Sequence, residues 1–168
     1  TRIDNAGKLA SNSDITIATA DMVNSQGSQV LAEKNTATFV VTNTLFNSGA
    51  VKSNVLQITA ASVINQGIGS TQEALLLGTD TATLNTSSLL ENNGEILAGN
   101  QMTINATTGQ LNNNGGFIQG RNLAITGDSV IDNNAVIRAR QKMSIHGNGL
   151  LNDVDGLIYT ANTDENAT

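Results

Sequence analysis

Carboxylates are the side chains in this chain most able to do chemistry. Asp128 and Asp132 lie close in sequence, as do Asp153 and Asp155. Paired carboxyl groups of this kind can give a proton to a glycosidic oxygen and take one from water, provided that several converge on one face at suitable separations. Neither pair recurs at equivalent positions of neighbouring repeat units. Sugar-stacking rings are confined to Phe39, Phe46, Phe117 and Tyr159. Solvation of chain corners is therefore the expected role of these aspartates, and no catalytic residue is assigned.

Basic residues offer recognition in place of catalysis. Arg121, Arg138, Arg140 and Lys142 hold four of the eight Lys and Arg, and in a repeat protein Arg121 and Arg140 fall near one another. They form a candidate patch for an acidic receptor or glycan, set against the plainer role of a solvated corner. His146, the single histidine, follows Ile145 with outward parity and reads as a surface residue. Gly67-Ile68-Gly69-Ser70-Thr71-Gln72 lacks the third glycine and the helix of a dinucleotide site. Gly115-Gly116-Phe117-Ile118-Gln119-Gly120 lacks the Asp of a calcium-binding nonapeptide repeat. No cofactor or metal site is expected.

The elements that must position these residues are repeats. An apolar residue leads into Asn-x-Gly, another apolar residue follows, and an alternating apolar stretch closes the unit. With Gly7, Gly27, Gly49, Gly67, Gly94, Gly115, Ala135 and Gly156 as anchors, the steps are 20, 22, 18, 27, 21, 20 and 21 residues. A period near twenty marks a solenoid, a propeller or an array. Three apolar ladders recur. The first is Ile3, Val23, Phe46, Ile64, Leu90, Leu111, Ile131 and Leu151. Leu9, Val30, Val51, Leu76, Ile96, Ile118, Ile137 and Ile158 make the second. The third consists of the pairs Ile15/Ile17, Phe39/Val41, Leu56/Ile58, Ala82/Leu84, Met102/Ile104, Leu123/Ile125 and Met143/Ile145. Small or polar residues separate the members of most pairs, as in a strand with one buried face. Helical spacing is absent.

Three short strands per turn, with successive turns paired in parallel, predict an all-β chain: a parallel β-helix (solenoid) of about eight coils, roughly 20 residues each. Asn5, Asn24, Asn47, Asn65, Asn92, Asn113, Asn133 and Asn152 form the expected structural corner ladder. Asparagine tolerates a left-handed backbone, its amide can pair with the equivalent residue of the next coil, and the neighbouring glycine allows positive φ. Residues 1–161 read as one repeat domain and 162–168 as a polar tail. The unit after Gly67 carries an insertion near 68–74, in which Ile68, Gly69, Ser70, Thr71, Gln72 and Glu73 form a candidate recognition loop.

Composition narrows the partners. Aromatic content is 2%, and proline and cysteine are absent, so thin aliphatic layers must form the core and no disulfide framework is available. Missing prolines suit a structure that needs almost every backbone N–H in a ladder. A net charge of -6 argues against nucleic acid as a partner. The longest apolar run, Ala74 to Leu77, is too short to span a bilayer, so no transmembrane segment is expected. Thr1-Arg2 enters directly on a repeat, so any export signal is expected outside this sequence.

The repeats resemble those of filamentous haemagglutinins and contact-dependent inhibition toxins. ENNGEILAGNQMTINATTGQLNNNGGFIQGRNLAIT and VIDNNAVIRARQKMSIHGNGLLNDVDGLIY carry the resemblance most clearly. It implies a two-partner secretion exoprotein of a Gram-negative bacterium, exported through a dedicated outer-membrane transporter and folded outside as a right-handed β-helix. The implied role is non-enzymatic: a secreted, cell-surface adhesin or toxin stalk that meets a protein or glycan receptor on a host or target bacterium. The family's secretion domain carries Asn-Pro-Asn motifs. Without proline, this chain would correspond to a downstream part of the shaft or to a receptor-contacting region within it. The alternative is a β-helical polysaccharide lyase or glycoside hydrolase, since parallel β-helices also host such enzymes.

Overall fold

The computed structural model describes residues 1–67 and 74–161. Fifteen strands follow one another: β1 Arg2–Asn5, β2 Lys8–Ala10, β3 Ile15–Thr19, β4 Asp21–Asn24 and β5 Gln29–Asn47. Then come β6 Ala50–Asn65, β7 Leu75–Asn92, β8 Glu95–Ala98, β9 Gln101–Ala106 and β10 Gln110–Asn113. The last five are β11 Phe117–Gly127, β12 Val130–Asn133, β13 Val136–His146, β14 Gly149–Asn152 and β15 Leu157–Thr160. The described residues contain no helix.

All fifteen strands belong to one parallel sheet wound into a β-solenoid of about seven turns, roughly 21 residues each. Each turn has three faces. The first ends at the repeat asparagine, the second begins after the small residue that follows it, and the third is the alternating stretch. Strands β5, β6 and β7 run continuously round the corners between second, third and first faces, with register shifts at those corners. Each segment pairs with its counterpart one turn away, so parallel ladder bonds satisfy the backbone and the side chains of consecutive turns stack in columns.

The second-face ladder stands as the spacing predicts. Leu9, Val30, Val51, Leu76, Ile96, Ile118, Ile137 and Ile158 are in register from turn to turn. The first-face ladder requires a correction at four turns. Met22, Leu45 and Val63 are fully buried, and Val23, Phe46 and Ile64 point outward. At the last turn Leu150, not Leu151, is in register with Ile131. The reason is parity. The asparagine faces inward, so the residue two before it must also face inward and the residue one before it cannot. Both candidates are apolar at these turns, which hides the choice from a reading of residue type alone.

One pair on the third face shifts by two residues, with parity unchanged, because register with the preceding turn selects among three inward positions. Ile15 is in register with Ala37 and Ile17 with Phe39, so Ala37/Phe39 replaces Phe39/Val41 as the matching pair. Val41 instead joins an inward column of mostly small residues with Thr19, Ala60, Thr86 and Ala106 at the next corner. The core is thus a stack of thin aliphatic layers, with Phe39 its one buried ring.

Substitutions at adjacent residues separate the two parities. Leu45→Ala should lower unfolding free energy by about 2–5 kcal/mol, as expected of a buried leucine. Phe46→Ala should cost about 1 kcal/mol or less, as expected of a cross-strand surface contact. Equilibrium denaturation of both variants checks the assignment, and a larger loss for Phe46→Ala would reverse it.

Candidate functional site

Inside the corner between first and second faces runs a continuous chain of side-chain amides. Asn5 Nδ2 donates to Asn24 Oδ1 at 2.8 Å and Asn24 to Asn47 at 2.7 Å. Asn47 donates to Asn65 at 2.8 Å and Asn65 to Asn92 at 2.9 Å. Asn92 to Asn113, Asn113 to Asn133 and Asn133 to Asn152 are each 2.8 Å. Six of the eight, from Asn24 to Asn133, are fully buried. The second amide proton is used as well. Asn5 donates to the Gln29 carbonyl, Asn65 to that of Glu95, Asn133 to that of Ala135 and Asn152 to that of Gly156. Because a carbonyl only accepts, these contacts orient the amides and give the column one direction, with donors facing the C-terminal end.

The expected backbone role of these residues is overturned. All eight lie in extended strands. Among the described residues, positive φ occurs only at Gly27 and Thr108. The asparagine is there for its amide, not for a left-handed turn.

The small residue after it also differs from the expected anchor at three turns. The column in register is Gly7, Ser28, Gly49, Ala74, Gly94, Gly116, Ala135 and Gly156, linked by N–H donors such as Ala50 to the Ser28 carbonyl at 2.9 Å and Glu95 to that of Ala74 at 2.8 Å. Gly27, Gly67 and Gly115 stand outside it. Close approach explains the preference for small residues. A Cβ on Gly94 would meet the Ala74 carbonyl, and one on Gly116 the Asn92 amide. Where serine replaces glycine, its hydroxyl joins the network, and Ser28 Oγ donates to Asn24 Oδ1 at 2.7 Å. Ala135 takes its place in the same column beside Asn133.

The basic residues gather on the last turns. Arg138 points outward from the second face, in register with Gln119 and Tyr159, and its guanidinium lies 5.6 Å from the Tyr159 ring centre. Arg140 donates to the Gly99 carbonyl, reaching back along the corner between second and third faces, where Arg121 also lies. Lys142 is exposed on the third face, in register with Asn122, and lines a shallow groove with Gln101 and Ser144. These four cations therefore share one end of the shaft but divide between two faces and the corner joining them.

The candidate loop Ile68, Gly69, Ser70, Thr71, Gln72 and Glu73 lies outside the described residues, as does the 162–168 tail. Asp132 faces outward on the first face, in register with Asn112 and Leu151. Asp128, Asp153 and Asp155 are exposed at corners. His146 is exposed in register with Thr126. Among the described residues, no group of three His, Cys, Asp or Glu could hold a metal ion, and no helix is long and apolar enough to cross a membrane.

Comparison with protein-family models, curated proteins and solved structures returns no match.

Removing one amide from the ladder should cost more than its own hydrogen bond. Asn92→Leu leaves Asn65 Nδ2 and Asn113 Oδ1 facing an apolar group inside the corner, and buried orphans of this kind cost about 1–3 kcal/mol each. The expected loss is about 2–5 kcal/mol by denaturant titration. A variant as stable as the parent would remove the ladder from its structural role.

Proposed function

We propose that this chain is a structural and receptor-binding segment of a secreted, surface-displayed haemagglutinin-like adhesin or contact-dependent growth inhibition toxin stalk. One observation carries the reading: an unbroken eight-rung amide column runs the length of a wall whose three faces all point side chains outward. A rod of this kind supports a binding end at a distance and offers its flanks for contact. The repeat pattern apolar-x-Asn-x-Gly, which resembles that of the haemagglutinin and toxin family, supports the same role. So does the absence of cysteine and proline, which suits a chain that crosses a transporter unfolded and adds turns as it emerges. The partners on this reading are an outer-membrane transporter during export and a cell-surface protein or glycan afterwards, met by the flanks or by the Arg121, Arg138, Arg140 and Lys142 end.

Saturable binding of the purified chain to host or bacterial cells, without turnover of polysaccharide, is the expected result. Turnover of an acidic or O-antigen polysaccharide would replace this reading with the enzymatic one.

Folding outside the cell also resists backsliding through the transporter. Ile104 is fully buried, and Ile104→Asp places a charge within the stacked layers, a change that such a core cannot accommodate. Secretion of the variant from a strain carrying the transporter should slow or stall. Unchanged export of a variant shown by protease digestion to be misfolded would count against a contribution of folding to export.

A further inference from the structure

The correction on the first face leaves three large apolar side chains with no place in the core. Val23, Phe46 and Ile64 are in register on consecutive turns, and all three are partly exposed on the outer surface. Leu89 lies beside them, in register with Ser62. Every described strand belongs to the single solenoid wall, so no second layer of described structure covers this stripe.

Carboxylates frame it. The column that runs through Val23, Phe46 and Ile64 begins at Asp4 and continues through Glu91, Asn112 and Asp132. Asp21 occupies the parallel outward column next to Val23. Of the eight Lys and Arg in the chain, only Arg2 is on this face, and it is joined to Asp4 at 2.8 Å. Among the described residues, no ion pair reaches Asp21, Glu91 or Asp132. Asp132 Oδ1 is shielded from solvent and has no hydrogen-bond partner, an acceptor that lacks a donor.

We infer that this face is a docking surface for a basic amphipathic helix laid along the rod, its apolar stripe on Val23, Phe46, Ile64 and Leu89 and its Lys or Arg side chains on Asp21, Glu91 and Asp132. Spacing supports the fit. Turns repeat every ~4.8 Å, so Asp21 and Asp132 are separated by about 24 Å, the length of a helix of about 16 residues. Helix side chains three and four apart recur every 5–6 Å or so, close to the step of the apolar column. Charge excludes the main rivals. A second copy of this chain facing the same surface would set carboxylates against carboxylates, and an anionic membrane would be repelled by them. The inference needs neither export nor cell adhesion, and it stands or falls apart from the proposed function.

The test uses the whole chain and a fluorescein-labelled helical peptide of about 16 residues, with leucine on one face and lysine on the other. A peptide with glutamate in place of lysine is the control. Fluorescence anisotropy should show saturable binding of the lysine peptide, weakened by added salt, and none of the glutamate peptide. Phe46→Ser and Ile64→Thr should each weaken binding roughly tenfold, as loss of a central apolar anchor does. Asp21→Asn with Glu91→Gln should weaken it and flatten its salt dependence. Val40→Thr, on the third face, should leave binding unchanged. Two surface variants keep the test open if one fails to fold. Equal binding of both peptides, unchanged binding by Ile64→Thr, or an equal loss with Val40→Thr would overturn the inference. Self-association of the chain in sedimentation that Phe46→Ser abolishes would also overturn it, and would assign the stripe to a second copy.

Discussion

The architecture depends on the pairing of a buried primary amide with the next one along the rod. An asparagine inside an aliphatic core carries two donors and an acceptor with no access to water, and leaving them unmade would cost several kcal/mol per turn. Stacking the same residue on every turn removes that cost, because each amide donates to the next and accepts from the last. The aligned amides polarise one another in the low dielectric of the corner. A shift of one residue in any turn would break the column on both sides. The ladder therefore sets register as well as contributing stability, which a uniform column of leucine would do less well.

Other features follow from this constraint. The amide must pass close to the chain of the neighbouring turn, so the residue opening the second face is glycine, alanine or serine throughout. Inward asparagine sets the parity of the whole first face: the residue two before it enters the core and the residue one before it leaves. Variable step length is then tolerated, because each turn needs only to return its asparagine to the column. The step from Asn65 to Asn92 is 27 residues and that from Asn47 to Asn65 is 18, with Nδ2 to Oδ1 distances of 2.9 and 2.8 Å. The ladder is intact across steps of both lengths.

Function follows from what the wall leaves outside. The third face is dominated by threonine and amide side chains. The second mixes aliphatic residues with Lys52, Glu95 and Arg138. The first carries an apolar stripe with acidic ends. A sheet of this kind needs polar or occupied outer faces to avoid nonspecific association, and in this molecule the first face has a single cation, Arg2, beside a continuous apolar column of three turns. Basic residues are concentrated at the opposite corner and the last turns. The rod is thus chemically sided.

Much of this was legible in the sequence. A period near twenty, alternation without helical spacing, and the recurrence of Asn-x-Gly determined a parallel β-solenoid, and the second-face ladder and the asparagine column could be written down residue by residue. Those readings held because each rests on a pattern repeated at every turn, where a periodic signal exceeds local noise. The tertiary structure decided what periodicity cannot distinguish. Met22 and Val23, or Leu45 and Phe46, are equally apolar, and only the inward direction of the neighbouring asparagine chooses between them. Likewise Gly27 or Ser28, and Gly115 or Gly116, can follow the same asparagine, and only the carbonyl of the adjacent turn selects the one that stands in the column. Residue type records that a position is apolar or small; which way it points depends on contacts with a neighbouring turn about twenty residues away.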